Sequence, residues 1–328
     1  MNDSITAVET TLPAAPVAGF WRRVLAFMVD GLILGIVGAA LGMLAFERLA
    51  ELGTWGRGVG FLISLVYFGV MDSGLAQGQT PGKRLLKIRV VRTDGRMLGP
   101  GRSALRFTLM GVPYFLNNAH IPLDSSNVWI FTLLSLVVFG LGLSILYLLI
   151  FNRATRQSLH DLATGSCVIN ANSTLVPGTL AQIWRGHYVV VALIAAAALC
   201  APLALSGLRH SATFKPLLAT QEGLMQVPEV AYAGVSAGIY KNFNDGASQR
   251  YIAVTALLAH KLDAEESLGD RLAGIVLDRY PDASGLDSIN INIVYGFDIG
   301  IASASSNTNY SHSPGEWRQR LGRTEGIR

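Results

Sequence analysis

An aspartate lies inside the first long apolar run of this sequence, where a charged side chain is least expected. The stretch RRVLAFMVDGLILGIVG covers residues 22–38, and Asp30 stands about two helical turns after the arginines that open it. By insertion scales, a carboxylate near the middle of a membrane-spanning helix costs about 2.5–3.5 kcal/mol. Such a residue needs a partner or a function, and an ion or proton site is the first hypothesis that it raises.

Four other charged residues are expected to form a cluster with Asp30 at the inner mouth of the helix bundle. Arg23 precedes Asp30 by seven residues, so the two share one helix face at about 10 Å along the axis. Asp72 ends the next apolar run, Arg106 closes a basic segment, and Asp161 follows a later run. Two interpretations of this candidate cluster stay open, because it either binds a cation or proton or only locks the helices together.

The elements that must position these residues are predicted to be membrane-spanning helices. The chain has 328 residues, of which only 15% are charged, against roughly 25% in ordinary soluble domains. The predicted spans are residues 24–46, 59–76, 107–121, 128–151 and 189–208. The sequence therefore predicts an all-α membrane bundle of five spans after a flexible tail, residues 1–19. The membrane domain covers residues 20–170, and residues 171–208 supply a linker and the last span.

The segment 107–121 leaves two topologies open, because it is short and is interrupted by Pro113. If it crosses, the basic loop after the fourth span returns to the side that holds the basic segment 83–106. If it does not cross, that basic loop lies outside the cell. The positive-inside rule favours crossing. We therefore expect a cytoplasmic N-terminus and an extracytoplasmic domain over residues 209–328.

The basic segment 83–106 carries a single acid, Asp94, among eight basic residues. The basic residues are Lys83, Arg84, Lys87, Arg89, Arg92, Arg96, Arg102 and Arg106. The positive-inside rule makes this segment cytoplasmic, and at a membrane surface it would attract anionic lipid headgroups. Its centre, LLKIRVVRTDGRML, alternates apolar and basic residues around Asp94-Gly95, which predicts a short β-hairpin.

The C-terminal region differs from the rest of the chain in charge and in pattern. Residues 209–328 carry 11 basic and 13 acidic side chains, whereas residues 1–208 carry 15 and 9, which indicates two compartments. The pattern predicts a small soluble α+β domain. Its predicted elements are strands on either side of Asn244-Asp245-Gly246, a helix within 264–280, a strand through Ile289, Ile291 and Ile293 that breaks at Gly296, and a short helix in SPGEWRQRLGR near the end.

Small residues on the first span predict close helix packing. Gly31 with Gly35, and Gly38 with Gly42, each place two glycines four residues apart. This spacing lets two helix backbones approach each other in a membrane. We therefore expect contacts with another helix along this face.

Other classes of function fit the sequence poorly. Ser158, His160 and Asp161 are triad residue types, but residues this close in sequence rarely supply triad geometry, and a G-x-S-x-G elbow is lacking. TPGK lacks the first glycine and the final Ser/Thr of a phosphate loop. Cys167 and Cys200 form neither a disulfide framework nor a metal-ligand spacing. We expect no enzymatic activity, no cofactor, no metal site and no nucleic-acid partner.

Three segments together resemble the RDD family of prokaryotic membrane proteins, which is named for an arginine and two aspartates. In AGFWRRVLAFMVD, Arg23 and Asp30 match the first arginine and the first aspartate. GQTPGKRLLKIRVVRTDGRML follows and leads to Arg106, and in RQSLHDLATGSCVI, Asp161 matches the second aspartate. The resemblance covers residues 16–170. Near its end ATGS replaces the more usual Ala-Gly-Thr, and it extends to neither the last span nor the tail domain.

This resemblance implies a multi-pass protein of the prokaryotic cell (inner) membrane. Transport is suggested for the family, and cation/proton exchange for some members. We therefore expect transport of a small cation or proton through the cluster around Asp30. The alternative is a non-transporting scaffold or sensor whose exported domain binds a protein partner. A bundle this small leaves little room for a pathway, so transport would require a homo-oligomer.

Overall fold

The computed structural model describes residues 15–117, 127–241, 248–262 and 265–322. The chain divides into two compact units. The first unit holds the described residues of Met1–Leu34, Leu62–Asn117 and Leu134–Leu199, and the second holds those of Gly35–Phe61, Asn118–Leu133 and Cys200–Arg328.

Apolar helices dominate the N-terminal region. Its helices are α1 (Phe20–Glu51), α2 (Gly56–Met71), α3 (Pro81–Leu85), α4 (Pro100–Leu116), α5 (Val128–Ser135), α6 (Gly142–Phe151), α7 (Leu159–Thr164) and α8 (Gly186–Leu205). A π-helical stretch, Leu136–Leu141, joins α5 to α6. In the described part of the chain, four helical segments are long and apolar enough to cross a membrane: Phe20–Glu51, Gly53–Met71, Val128–Phe151 and Gly186–Leu208.

The second predicted span ends earlier in the structure than in the sequence pattern. The predicted spans 24–46, 128–151 and 189–208 lie inside three of the four segments. The prediction 59–76 is wrong at its end, because α2 stops at Met71. The hydroxyl of Ser73 accepts a hydrogen bond from the amide of Leu75 and starts a separate short 3-10 turn.

The ambiguous span 107–121 falls in α4, which begins seven residues earlier, at Pro100. This helix has 17 residues and is not among the four segments that meet the length and hydropathy needed to cross. Residues 118–121 lie outside the described part of the chain. By helix length and hydropathy, the described residues therefore contain four candidate spans, and the predicted count of five is not confirmed.

A two-stranded antiparallel sheet joins distant parts of the first unit, so this region is not all-α. β1 (Ile88–Arg92) pairs with β2 (Ser166–Asn170). The predicted hairpin around Asp94-Gly95 is wrong in its second strand, although a turn does form there, with Gly95 at φ +80°. β2 instead pairs with all five residues of β1, and four of its own five residues are buried.

Residues just before α1 extend this sheet. Val17 forms an isolated antiparallel bridge with Ile169, and the amide of Ala18 donates to the carbonyl of Val168 at 2.8 Å. Ala18 is fully buried. The predicted flexible tail of residues 1–19 therefore does not extend to these residues, and residues 1–14 lie outside the described part.

The C-terminal region is a four-stranded sheet with helices. It contains α9 (Phe214–Leu224), β3 (Val230–Lys241), β4 (Ser248–Leu258), α10 (Glu265–Arg279), β5 (Ser288–Asp298), β6 (Ser303–His312) and α11 (Pro314–Arg320). The strand order is β3-β4-β5-β6, and β4 runs parallel to β5 because α10 connects them. Apolar residues of α10, such as Leu268 and Leu272, and of β5, such as Ile289 and Ile291, belong to one buried core. This architecture agrees with the predicted α+β domain.

Two details of this sheet differ from the sequence expectations. Gly296 does not break β5, which continues to Asp298. A Cβ at this position would meet the backbone of Ala304 and Ser305, so the glycine permits close strand pairing. β6 was not predicted, because SASSNTNYSH is polar, as suits an exposed edge strand. The predicted turn Asn244-Asp245-Gly246 lies outside the described residues.

The glycines of α1 do not all serve helix–helix contact. A Cβ at Gly38 would lie 2.8 Å from the Cβ of Ala302, and one at Gly42 would meet the ring of Phe297. Gly31, in contrast, has open space around it. The prediction of a partner helix is therefore wrong for Gly38 and Gly42, whose small size accommodates the β5–β6 turn and the end of β5.

Candidate functional site

Arg106, in the second turn of α4, is the centre of a buried charge network. Its Nε and Nη2 donate to Oδ1 of Asp161 at 2.9 and 2.8 Å, and its Nη1 donates to Oδ2 of Asp72 at 2.8 Å. The side chain of Arg106 is 5% exposed, and both carboxylates are buried. A guanidinium suits this bridge because its rigid planar fork can hold two carboxylates in fixed directions.

Asp161 reaches the network from the first turn of α7. Its Oδ2 accepts a hydrogen bond from the amide of Ser158 at 3.2 Å, as the acid of a capping box does. The same oxygen accepts from Nη2 of Arg23 at 2.6 Å, and Nη1 of Arg23 donates to the carbonyl of Arg156. Asp161 therefore ties the start of α1 to both α4 and α7.

Lys83 completes the network, although the sequence placed it in a basic surface segment. Its Nζ lies 2.5 Å from Oδ1 of Asp72 and 5.5 Å from the centre of the Phe68 ring. α3 fixes its position, because the hydroxyl of Thr80 caps this helix by accepting from the amide of Lys83 at 3.1 Å. The Thr-Pro pair at residues 80–81 is the signal that could have revealed this helix start.

Asp30 lies beside this network and is satisfied by neutral donors. Its Oδ1 accepts from the hydroxyl of Tyr67 at 2.8 Å and from the amide of Gly82 at 2.9 Å. Its Oδ2 accepts from the hydroxyl of Thr80 at 2.6 Å. The carboxylate is fully buried, and no Lys or Arg within the described ranges lies within ion-pairing distance of it.

The predicted cluster is thus divided into two parts. Arg23, Asp72, Arg106 and Asp161 form one connected set of ion pairs, whereas Asp30 joins it only through α3. Within that helix, the amide of Gly82 binds Asp30 and the next side chain, Lys83, binds Asp72. With Lys83 included, the three cations Arg23, Lys83 and Arg106 pair with two carboxylates, and Asp30 is the third carboxylate of the group. The whole group is therefore balanced in charge when all of its members are ionised.

Burial and charge set the protonation states at α7. Burial alone would raise the pKa of Asp161, but Arg106 and Arg23 outweigh it and hold that pKa well below its usual range. Burial, with Arg106 nearby, lowers the pKa of His160 to about 3, so this imidazole is neutral. Its Nε2 lies 3.3 Å from Nη2 of Arg106, and its Nδ1 is buried without a partner among the described residues. Burial also raises the pKa of Cys167 to about 12 and keeps its thiol protonated.

Arg22 has a separate role that the sequence did not reveal. It donates to the carbonyls of Leu86 and Lys87 and, through Nη1, to Oδ1 of Asn170 at 2.6 Å. Arg22 thus anchors α1 to the two-stranded sheet, while Arg23 anchors it to α7. Both Lys87 and Arg156, whose carbonyls receive these arginines, adopt the left-handed conformation at φ +52° and +54°.

The site consists of ion pairs and one carboxyl group that lies outside them. No group of three or more His, Cys, Asp or Glu side chains in the described residues has an arrangement that could hold a metal ion. The ion pairs of Arg106 leave neither Asp72 nor Asp161 free to act as a base. Asp30 is a fully buried carboxyl group that accepts hydrogen bonds from neutral donors only.

Comparison with known proteins identifies this region. Residues 17–165 match the family model described as the RDD family. Residues 17–165 are therefore an RDD-family region, and the match does not cover the C-terminal region. No curated protein and no solved structure gives a significant match. The family match and the four apolar helical segments make the chain a multi-pass integral membrane protein.

Proposed function

We propose that this protein carries protons or a small cation across the membrane, with Asp30 as the group that binds them. The proposal rests on one observation, the fully buried Asp30 carboxylate without an ion-pair partner in the described part of the chain. Asp72 pairs with Lys83 and Arg106, and Asp161 pairs with Arg106 and Arg23. A buried intramembrane carboxylate is a functional site by default, and here the other two buried carboxylates are already neutralised.

The surroundings of Asp30 suit reversible binding. Its three hydrogen-bond donors stabilise a negative charge but add no positive charge to cancel it. Two of these donors are the hydroxyls of Tyr67 and Thr80, which can rotate to offer oxygen lone pairs. Carboxylate and hydroxyl oxygens are the ligands that hard cations prefer. When these hydroxyls rotate away from Asp30, the carboxylate can take up a proton, or it can bind a cation together with the hydroxyl oxygens.

A further polar group on α2 supports a path from this site. Ser64 precedes Tyr67 by three residues, so both lie on the same face of α2. Its hydroxyl is buried and has no hydrogen-bond partner among the described residues. A hydroxyl without a partner inside a spanning helix is costly, unless water or a passing ion satisfies it. We assign Ser64 as the next polar contact beyond Tyr67.

The directions of the helices support five crossings. α1 begins beside the network with Arg23, α2 ends beside it just before Asp72, and α4 begins there with Arg106. α8 begins near the end of α6, where the hydroxyl of Tyr147 lies 2.9 Å from Nδ1 of His187. α4 would be the third crossing, with a length of about 25 Å against a core of about 30 Å.

This arrangement also supports an orientation. The basic segment 83–106 lies on the network side, which the positive-inside rule places in the cytoplasm. We therefore propose an inner-membrane protein of a prokaryotic cell with a cytoplasmic N-terminus and residues 209–328 outside. We assign no enzymatic step to it. Because one bundle is small, we propose that transport takes place in a homo-oligomer.

The experiment is cation-driven proton flux in proteoliposomes, for the wild type and for Asp30→Asn. The amide is isosteric and keeps one acceptor oxygen for Tyr67 and Gly82, and the hydroxyl of Thr80 can turn to accept from its NH2, so we expect the variant to fold, with a melting temperature close to that of the wild type. We expect its flux to be lost, because a neutral side chain cannot bind and release a proton or cation. Asp94→Asn is the matched control, since it removes one carboxylate from an exposed turn and should leave flux unchanged.

Two results would contradict this proposal. One is equal flux for the wild type and Asp30→Asn. The other is absence of flux in well-folded wild type over a panel of monovalent and divalent cations. The second result would favour a scaffold or sensor, and the exposed surface of the C-terminal sheet supports that alternative. Most of β6 is exposed, and Asn309 lies opposite Asn292 of β5 on a polar sheet surface that could bind a protein partner.

A further inference from the structure

A cavity lies at the end of the first unit where α1 begins and α6 ends. Its volume is about 470 Å³, and its lining includes Phe20, Trp21, Arg22, Ile150, Arg153 and Arg156. It is separate from the buried network, since none of the carboxylates of that network lines it. The ligand chemistry of this cavity is therefore independent of the buried network.

The charge of this cavity is positive and uncompensated. Three of its lining residues are arginines, and none is acidic. Within the described part of the chain, Arg22, Arg153 and Arg156 have no carboxylate within ion-pairing distance. Arg22 donates only to neutral oxygens, namely those of Leu86, Lys87 and Asn170. The guanidinium of Arg22 is held by these oxygens, so Arg153 and Arg156 are the lining arginines left to bind an anion, and a guanidinium suits phosphate.

The backbone holds one of these arginines in an uncommon conformation. Arg156 has φ +54°, a region that non-glycine residues seldom occupy. Two hydrogen bonds fix it there, since its amide donates to the carbonyl of Asn152 at 3.0 Å and its own carbonyl accepts from Arg23. Strained residues of this kind concentrate at functional sites. The buried network therefore helps to fix the residue that carries one arginine of the cavity wall.

The other part of the lining is apolar and exposed. Trp21 is 71% exposed and Ile150 is 46% exposed. Both stand at ends of segments long and apolar enough to span a membrane, the level at which aromatic residues meet lipid headgroups. A soluble anion would gain nothing from these side chains, whereas a lipid would place its phosphate at the arginines and its chains along the apolar surface.

We propose that this cavity binds the phosphate group of an anionic phospholipid. The site differs from the basic segment 83–106, whose exposed charges attract headgroups without a cavity. Binding here would hold α1 to α6 at the membrane surface.

The test uses the purified full-length protein in detergent and native mass spectrometry with added phosphatidylglycerol. The variant combines Arg153→Gln with Arg156→Gly, since glycine adopts the left-handed conformation without strain. We expect its apparent Kd for this lipid to rise about tenfold or more, as loss of charge-assisted contacts implies. The matched control combines Lys241→Gln with Lys261→Gln, which removes the same charge from exposed positions of the C-terminal region and should retain wild-type affinity.

Further arms separate the sources of the anion. Phosphatidylcholine should bind weakly to all forms, and inorganic phosphate should not displace phosphatidylglycerol from the wild type. Trp21→Ala should weaken lipid binding as well, because it removes the apolar part of the cavity. Equal affinity in the cavity variant and the wild type would overturn the proposal. Equal weakening in the control variant, or displacement by inorganic phosphate, would overturn it too. Arg153→Gln alone removes an exposed side chain, so it gives the same readout without risk to folding.

Discussion

The backbone amide of Gly82 lies 2.9 Å from Oδ1 of Asp30, a residue fifty-two positions earlier in the chain. This bond brings the start of α3 against α1, within the long apolar run of that helix. The side chain of the next residue, Lys83, pairs with Asp72. One short helix thus supplies a neutral donor to one buried carboxylate and a cation to another. The different chemistry of Asp30 and Asp72 follows from this difference in partners.

Gly82→Ala should weaken the contact between α3 and α1. An added Cβ would meet the carbonyl oxygen of Ala26 and would lie 2.9 Å from Oδ1 of Asp30. Because backbone cannot move aside cheaply, we expect a loss of about 1–3 kcal/mol in stability. Gly101→Ala is the matched control, since Gly101 also follows the proline that starts its helix and has open space around it. Thermal unfolding in detergent measures both, and equal melting temperatures would contradict the close approach.

Replacement of Arg106 by glutamine should destabilise the fold more than replacement of an exposed arginine by glutamine. Arg106→Gln leaves Asp161 and Asp72 without one partner each, and breaking a buried pair in this way costs about 3–5 kcal/mol. Arg106→Lys should fall between this variant and the wild type, because lysine keeps the charge but lacks the planar fork.

The control for this series is Arg102→Gln, which removes an exposed arginine one turn earlier on α4. Its melting temperature should match that of the wild type. A wild-type melting temperature for Arg106→Gln would show that the network does not hold the helices together.

Local patterns in the sequence were sufficient for the apolar helices and for most of the charged cluster. Long apolar runs predict spans, because only a helix satisfies its own backbone in lipid. Four of the five predicted cluster residues, Arg23, Asp72, Arg106 and Asp161, do join one set of ion pairs. Their positions at the ends of apolar runs were the signal that predicted them to lie together.

Contacts between distant segments could not be predicted in the same way. β1 pairs with β2, more than seventy residues away, and not with the segment just after its own turn. The sequence pattern predicts Lys83 to be one of many surface charges, whereas in the structure α3 positions it beside Asp72. Gly38 and Gly42 have the spacing of a helix–helix contact but face Ala302 and Phe297. In each case, a tertiary contact determined the outcome.

The glycines of α1 provide a test of the contact with the C-terminal sheet. Gly38→Ala would place a Cβ 2.8 Å from that of Ala302 and 3.0 Å from Cγ1 of Ile301. We expect a lower melting temperature despite the better helix propensity of alanine, which favours the variant by up to about 1 kcal/mol. Gly31→Ala, on the same helix in open space, should instead be neutral or stabilising. If both variants were stabilised, the contact at Gly38 would be absent.

The neutral state of His160 should make the stability of the protein depend on pH. Its pKa is about 3 in the folded protein, against 6.5 for an unperturbed histidine. Below about pH 6.5 this histidine therefore binds a proton in the unfolded chain but stays neutral in the folded protein. The free energy of unfolding consequently falls as the pH is lowered, by up to about 1.4 kcal/mol per pH unit. The lowered pKa of Asp161 acts in the same direction, but only at more acid pH, where an unpaired carboxylate becomes protonated.

Thermal unfolding in detergent from about pH 7.5 down to about pH 5 isolates the histidine effect. His160→Gln should flatten the fall in melting temperature over this range, because glutamine does not titrate. His260→Gln is the matched control, since His260 is exposed, and it should keep the wild-type slope. Parallel pH profiles for the wild type and His160→Gln would mean that His160 is accessible to protons in the folded protein. That result would require water at its Nδ1, the buried atom for which the described residues provide no partner.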